Sequence, residues 1–89
     1  MARYEFADAT CAGSSQALCS ADTFFDLGMM YSTGRLVAPD LVSAHKWFNI
    51  AAVRGNAEAV RYRIEIAAEM SQVEIAAAQR AARNWLAAH

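Results

Sequence analysis

Between Leu27 and Ala59 the chain reads LGMMYSTGRLVAPDLVSAHKWFNIAAVRGNAEA, and its small, aromatic and turn residues follow one another in a helix–turn–helix order. Leu27, Gly28 and Tyr31, with Phe24 before them, recur at the i, i+3, i+4, i+7 spacing of one helical face. Gly34 then offers the left-handed residue on which helices end. Pro39 biases Ala38 away from helix, and Asp40 is placed to cap a second one. Leu41, Ala44, Phe48, Ala51 and Ala52 continue an apolar stripe that Trp47 widens, and Gly55 closes it. A stretch built this way specifies two helices packed on each other. It contains no reaction centre.

The same signals extend to both sides. A first helix is expected from Ser20 or Ala21 to about Ser32, with Asp22 suited to its positive end. A third should start at Asn56 or Ala57 and reach about Met70, facing inward with Ala59, Tyr62, Ile66 and Met70. Arg61 and Glu65 lie four apart on another of its faces. Ser71-Gln72-Val73-Glu74 reads as a capping box that opens a fourth helix running nearly to His89, with Ile75, Ala78, Ala82 and Trp85 in one stripe. One proline, four glycines and no alternating β-branched runs make the expected fold all-α, about four antiparallel helices over residues 20–89. Residues 1–19, interrupted by Gly13-Ser14-Ser15, read as a flexible arm or a short docking turn.

A chain of 89 residues makes one small domain, which buries a little over ~60% of its unfolded surface. Its hydrophobic fraction of 56% argues against global disorder, but much of that fraction is alanine, so the few large side chains must form the core. A net charge of −1 provides no field for nucleic acid or an anionic membrane. No segment approaches the roughly 20 apolar residues of a membrane span, and the N-terminus lacks the basic-then-apolar order of a signal peptide. A cytoplasmic location is the default expectation, with an exported or periplasmic context open if the chain is an excerpt of a larger protein.

These residues resemble a Sel1-like repeat, a helix–turn–helix unit related to the tetratricopeptide repeats and somewhat longer. Leu27, Gly28, Tyr31, Gly34, Val37, Asp40, Ala44, Trp47, Phe48, Ala51, Ala52, Gly55 and Ala59 fall in the order and spacing of the family pattern. In that reading Gly28 and Ala44 let two helix backbones approach, Tyr31 and Trp47 fill the space around them, and Ala51 with Ala52 leave room for the next helix. Two positions depart from the pattern. Leu36 replaces the second turn glycine, so the turn is expected to follow a different backbone path, because leucine resists positive φ. Ser43 stands where a basic residue is usual. The resemblance implies a helical-repeat solenoid fragment: one repeat at 20–55, then a divergent helix pair at 56–89 that caps its apolar end or closes a longer array.

Chemistry-bearing residues are sparse. Cys11 and Cys19 have seven residues between them, a spacing seen in some exported Sel1-like proteins, but their register relative to the repeat glycine differs. They read as free or buried thiols of a reducing compartment, and no further ligands accompany them to make a zinc site. His45, beside Lys46, is expected on the solvated outer side of the second helix, with no nucleophile arranged around it. Glu65 and Glu69 read as a solvated helix face. Arg61, Arg63, Arg80 and Arg83 are interrupted by alanine and glutamate, and they do not build a nucleic-acid recognition helix. No catalytic residue, metal site or cofactor is assigned.

Methionine adapts to irregular partners. Phe25, Met29 and Met30 are accordingly the candidate partner-binding residues, while Phe24 and Tyr31 read as core. Phe24 and Phe25 point about 100° apart, so at least one should contact another segment or a partner. What the resemblance implies is a non-catalytic scaffold or adaptor in bacterial signalling or envelope processes, binding a protein or peptide. The alternatives are a small enzyme or binder of a peptidoglycan-like ligand, and a terminal segment that contacts only further repeats of its own chain.

Overall fold

Four polar side chains start four helices. The computed structural model describes residues 20–89, so the N-terminal arm and both cysteines lie outside the described residues. Helix α1 spans Ala21–Thr33, α2 Leu41–Val53, α3 Ala57–Ala67 and α4 Gln72–Ala88. Each N-cap side chain accepts a hydrogen bond from a backbone N–H of the first turn: Ser20 from Thr23, Asp40 from Ser43, Asn56 from Ala59 and Ser71 from Glu74. At α4 the box is reciprocal, since the Ser71 N–H donates to Glu74 Oε1 at 2.8 Å. Each such cap contributes about 1 kcal/mol. No strand occurs among the described residues.

The helix ends follow the glycines where glycines exist. Gly34 takes φ +79° and its N–H returns to the Met30 carbonyl at 2.9 Å, and Gly55 takes φ +112°. Helix α3 stops at Ala67, three residues before the expected Met70. Ser71 leaves helical geometry to cap α4, at ψ 164°, and residues 68–70 are consumed in the reversal. The end tightens into i+3 bonds, Glu69 N–H to Ile66 and Met70 N–H to Ala67.

Leu36 overturns one expectation. It sits at φ +72°, so the turn keeps a left-handed residue at a position occupied by leucine. Its side chain is 73% exposed and gains little from packing. The conformation is held from both sides: a Cβ at Gly34 would lie 2.7 Å from Pro39 Cγ, and the Asp40 N–H donates to the Tyr31 carbonyl at 2.9 Å. A left-handed non-glycine residue costs about 1–2 kcal/mol, and glycine adds about 0.4–1 kcal/mol of unfolded-chain entropy. Leu36→Gly should therefore raise stability by about 0.5–1 kcal/mol in urea unfolding, and Leu36→Ala should not.

Helix α2 is the centre of the fold, with α1, α3 and α4 each packed against it. Five successive residues, Ala44 to Phe48, are buried, which only a helix covered on several sides achieves. Contacts from Tyr31 with Asp40, through Gly28 with Phe48, to Asp22 with Asn56 show α1 running antiparallel to α2. Two aromatic pairs adjacent in sequence organise the core. Phe24 of α1 and Trp47 of α2 stack at 5.8 Å, and Trp85 of α4 meets them edge-on at 5.1 and 5.6 Å. Their neighbours Phe25 and Phe48 meet Tyr62 of α3 at 5.3 and 5.7 Å and each other at 5.6 Å. One triad thus holds α4 to the α1–α2 pair, and the other holds α3.

Candidate functional site

The three candidate partner-binding residues separate in the structure. Phe25 is half-buried within the α3 triad, so its ring serves packing between α1, α2 and α3. Met29 and Met30, also half-buried against the core, turn part of their length outward at the C-terminal end of α1. With Thr33, Gly34 and Arg35 they line an open depression of about 410 Å³. Phe25 is not part of its lining.

The polar groups at this end of α1 are mostly engaged locally. The Met29 carbonyl accepts from the hydroxyls of Ser32 at 3.1 Å and Thr33 at 2.8 Å. Thr33 Oγ1 in turn accepts from the Arg35 N–H at 3.4 Å. The floor is therefore two flexible thioether chains, and the rim is a turn whose backbone is fixed. Such a surface offers apolar contact and no general acid, base or nucleophile.

The motif residues take these positions. Leu27, Gly28, Ala44, Trp47 and Ala51 are buried, and Tyr31 and Ala52 pack against that core in part. Gly28 faces the ring of Phe48 rather than a bare backbone: a Cβ there would fall 2.5 Å from Phe48 Cδ1 and Cε1. At the far end of the fold, Arg54 lies over Phe24 and Trp85 at 5.9 and 5.7 Å. His89 stacks on Trp85 at 4.2 Å.

His45 and Lys46 correct the sequence reading. Both were expected in solvent, and both are buried, at 3% and 5% exposure, because α2 is covered on more faces than a two-helix unit would cover. The sequence held only a partial hint of this. Leu41, Val42 and Ile50 extend the apolar positions of α2 around its circumference, but which of those faces is covered depends on the other helices. Burial, and after it the charge of Arg63 on α3, lower the His45 pKa, while its own backbone opposes them. The Arg63 guanidinium is held one turn along α2, donating to Asn49 Oδ1 at 3.1 Å. Burial pushes Lys46 down to about 8, although the face of Trp47, 4.3 Å from Nζ, favours the ammonium form.

These shifts fix the direction of the pH dependence. The folded state favours neutral His45, so its contribution is complete above the unfolded value of 6.5 and is lost as pH falls below it toward the lower folded value. For Lys46 the gain comes between pH 8 and 10.5. Chemical unfolding should therefore show stability falling from pH 7.5 to 5.5 and rising from pH 8 to 10. His45→Gln should flatten the acid limb alone. An unchanged acid limb in that variant would remove the assignment.

The remaining charged residues among those described lie scattered on the surface. Arg61 pairs with Glu58 at 3.8 Å on the surface rather than with Glu65. Glu65, Glu69, Arg80 and Arg83 are exposed. Among the described residues no group of three His, Cys, Asp or Glu could hold a metal ion, and no helix is long and apolar enough to cross a membrane. Comparison of the chain with protein-family models, with curated proteins and with solved structures finds no match.

Proposed function

We propose that this domain is a protein-interaction module of Sel1-like helical-repeat type, which receives a peptide or helix of a partner at the C-terminal end of α1. The observation that carries the reading is the pair Met29 and Met30, half-buried yet lining an open depression on a helix pair whose aromatic side chains are committed to packing. The repeat reading is supported by Leu27, Gly28, Ala44, Trp47 and Ala51, all buried at the α1–α2 contact or beside it. Apolar lining without converging polar groups favours a protein partner over an enzyme substrate or a peptidoglycan-like ligand.

A second reading has its own observation. Val60 and Ile64 lie one turn apart on α3 and are 37% and 61% exposed, a face on which further repeats of the same chain would pack. The two readings are separated by one experiment. The doubly substituted Met29→Glu, Met30→Glu domain should keep its helical circular dichroism and lose the partners that the wild-type domain captures. If the folded variant retains every one of them, the Met29–Met30 face is not the binding site.

A further inference from the structure

We infer that the Met29–Met30 depression reads a carboxylate beside an apolar side chain, through the guanidinium of Arg35; this rests on the interaction-module reading above. Most of the donors that line the depression are already engaged. The Gly34 N–H is bonded to the Met30 carbonyl, and the Arg35 N–H to Thr33 Oγ1. The Thr33 hydroxyl donates to the Met29 carbonyl. Met29 and Met30 supply no donor at all. What is left is the exposed side chain of Arg35, which forms no ion pair with any described residue.

A guanidinium at the end of a helix ordinarily complements the negative C-terminal dipole. At α1 other donors take much of that role. The Met29 carbonyl takes two hydroxyls, the Met30 carbonyl takes the Gly34 N–H, and the Tyr31 carbonyl takes the Asp40 N–H at 2.9 Å. With these three carbonyls satisfied, less of the negative helix end is left to draw the guanidinium, which is available to a partner.

Arginine presents five donors and no acceptor in a planar fork that matches a carboxylate in two parallel bonds. The lining contains no acidic residue to compete for it. The occupant is therefore a peptide in which a flexible apolar side chain enters between the two methionines while a neighbouring Asp or Glu side chain meets Arg35. Because the chain as a whole carries a net charge of −1, attraction of such a peptide depends on this one local cation and should weaken with salt.

The test is selection of random dodecapeptides, displayed with free C-termini, on the folded wild-type domain and on Arg35→Glu. Wild type should enrich an apolar residue within two positions of a carboxylate, and Arg35→Glu should enrich Lys or Arg in its place. Resynthesis of the best peptide as acid and as amide separates a terminal from a side-chain carboxylate. Arg35→Ala should weaken its binding about tenfold or more, with Arg35→Lys intermediate. Enriched peptides that lack acidic residues and bind Arg35→Glu equally well would overturn the inference and leave the interaction module standing. Enrichment of nothing by wild type would overturn both. Arg35 is exposed, and circular dichroism checks that each variant remains folded.

Discussion

Phe24→Ala should destabilise the domain by about 3–5 kcal/mol, the range for truncating a buried phenylalanine. The ring is fully buried and touches Trp47 and Trp85 at 5.8 and 5.1 Å, so its removal opens a void between three helices. Small domains have about 5–15 kcal/mol in total, and this one lies toward the lower end by size. The variant should therefore populate unfolded chain at 37 °C. Phe25→Ala, one residue along and half-buried, should cost about half as much. The two substitutions also act in different places. Phe24→Ala should shift the fluorescence of Trp47 and Trp85, whereas Phe25→Ala should leave it nearly unchanged. Equal losses of stability, or equal shifts in emission, would contradict the division of the core into two triads.

Gly28→Ala makes a sharper test, because propensity and packing predict opposite signs. Alanine in a helix interior is favoured over glycine by about 1 kcal/mol. Here the added Cβ would stand 2.5 Å from two atoms of the Phe48 ring, well inside van der Waals contact. That ring cannot swing away freely, since Phe25 and Tyr62 hold it at 5.6 and 5.7 Å. Overpacking of this kind costs about 1–3 kcal/mol, so the net effect should be destabilising, and Gly28→Val should be worse. A thermal midpoint lower by several degrees is expected for alanine. Phe48→Leu made together with Gly28→Ala should recover part of the loss, giving a non-additive cycle. A more stable Gly28→Ala domain would show that the Phe48 ring can move away from Gly28 at little cost.

Local features of the fold were readable from the chain and non-local ones were not. Ser20, Asp40, Asn56 and Ser71 announce their helices because a cap is a contact across three residues. Gly34 and Gly55 mark ends for the same reason. The burial of His45 and Lys46 depends on three helices meeting around α2, which no window of sequence contains. Leu36 is a case of tertiary override: the ring of Pro39 and the bond from Asp40 to Tyr31 fix a turn that leucine would not choose. At the candidate site, residue type suggested Met29 and Met30, and the fold places both at one depression. The use of Phe25 in packing and the part of Arg35 depend on which neighbours the fold brings, so composition could not separate them.

The two triads also differ in how much chain must be ordered before each can close. Phe25, Phe48 and Tyr62 belong to successive helices joined by short turns, so their rings meet after small loops have closed. The triad of Phe24, Trp47 and Trp85 draws in the last helix from nearly the far end of the described chain. Its loop-closure entropy is larger and is offset only when α4 arrives. The topology therefore places the three-helix unit α1–α2–α3 early on the folding path and the docking of α4 late. In kinetic terms, substitutions at Tyr62 should slow folding, while substitutions at Trp85 should mainly hasten unfolding.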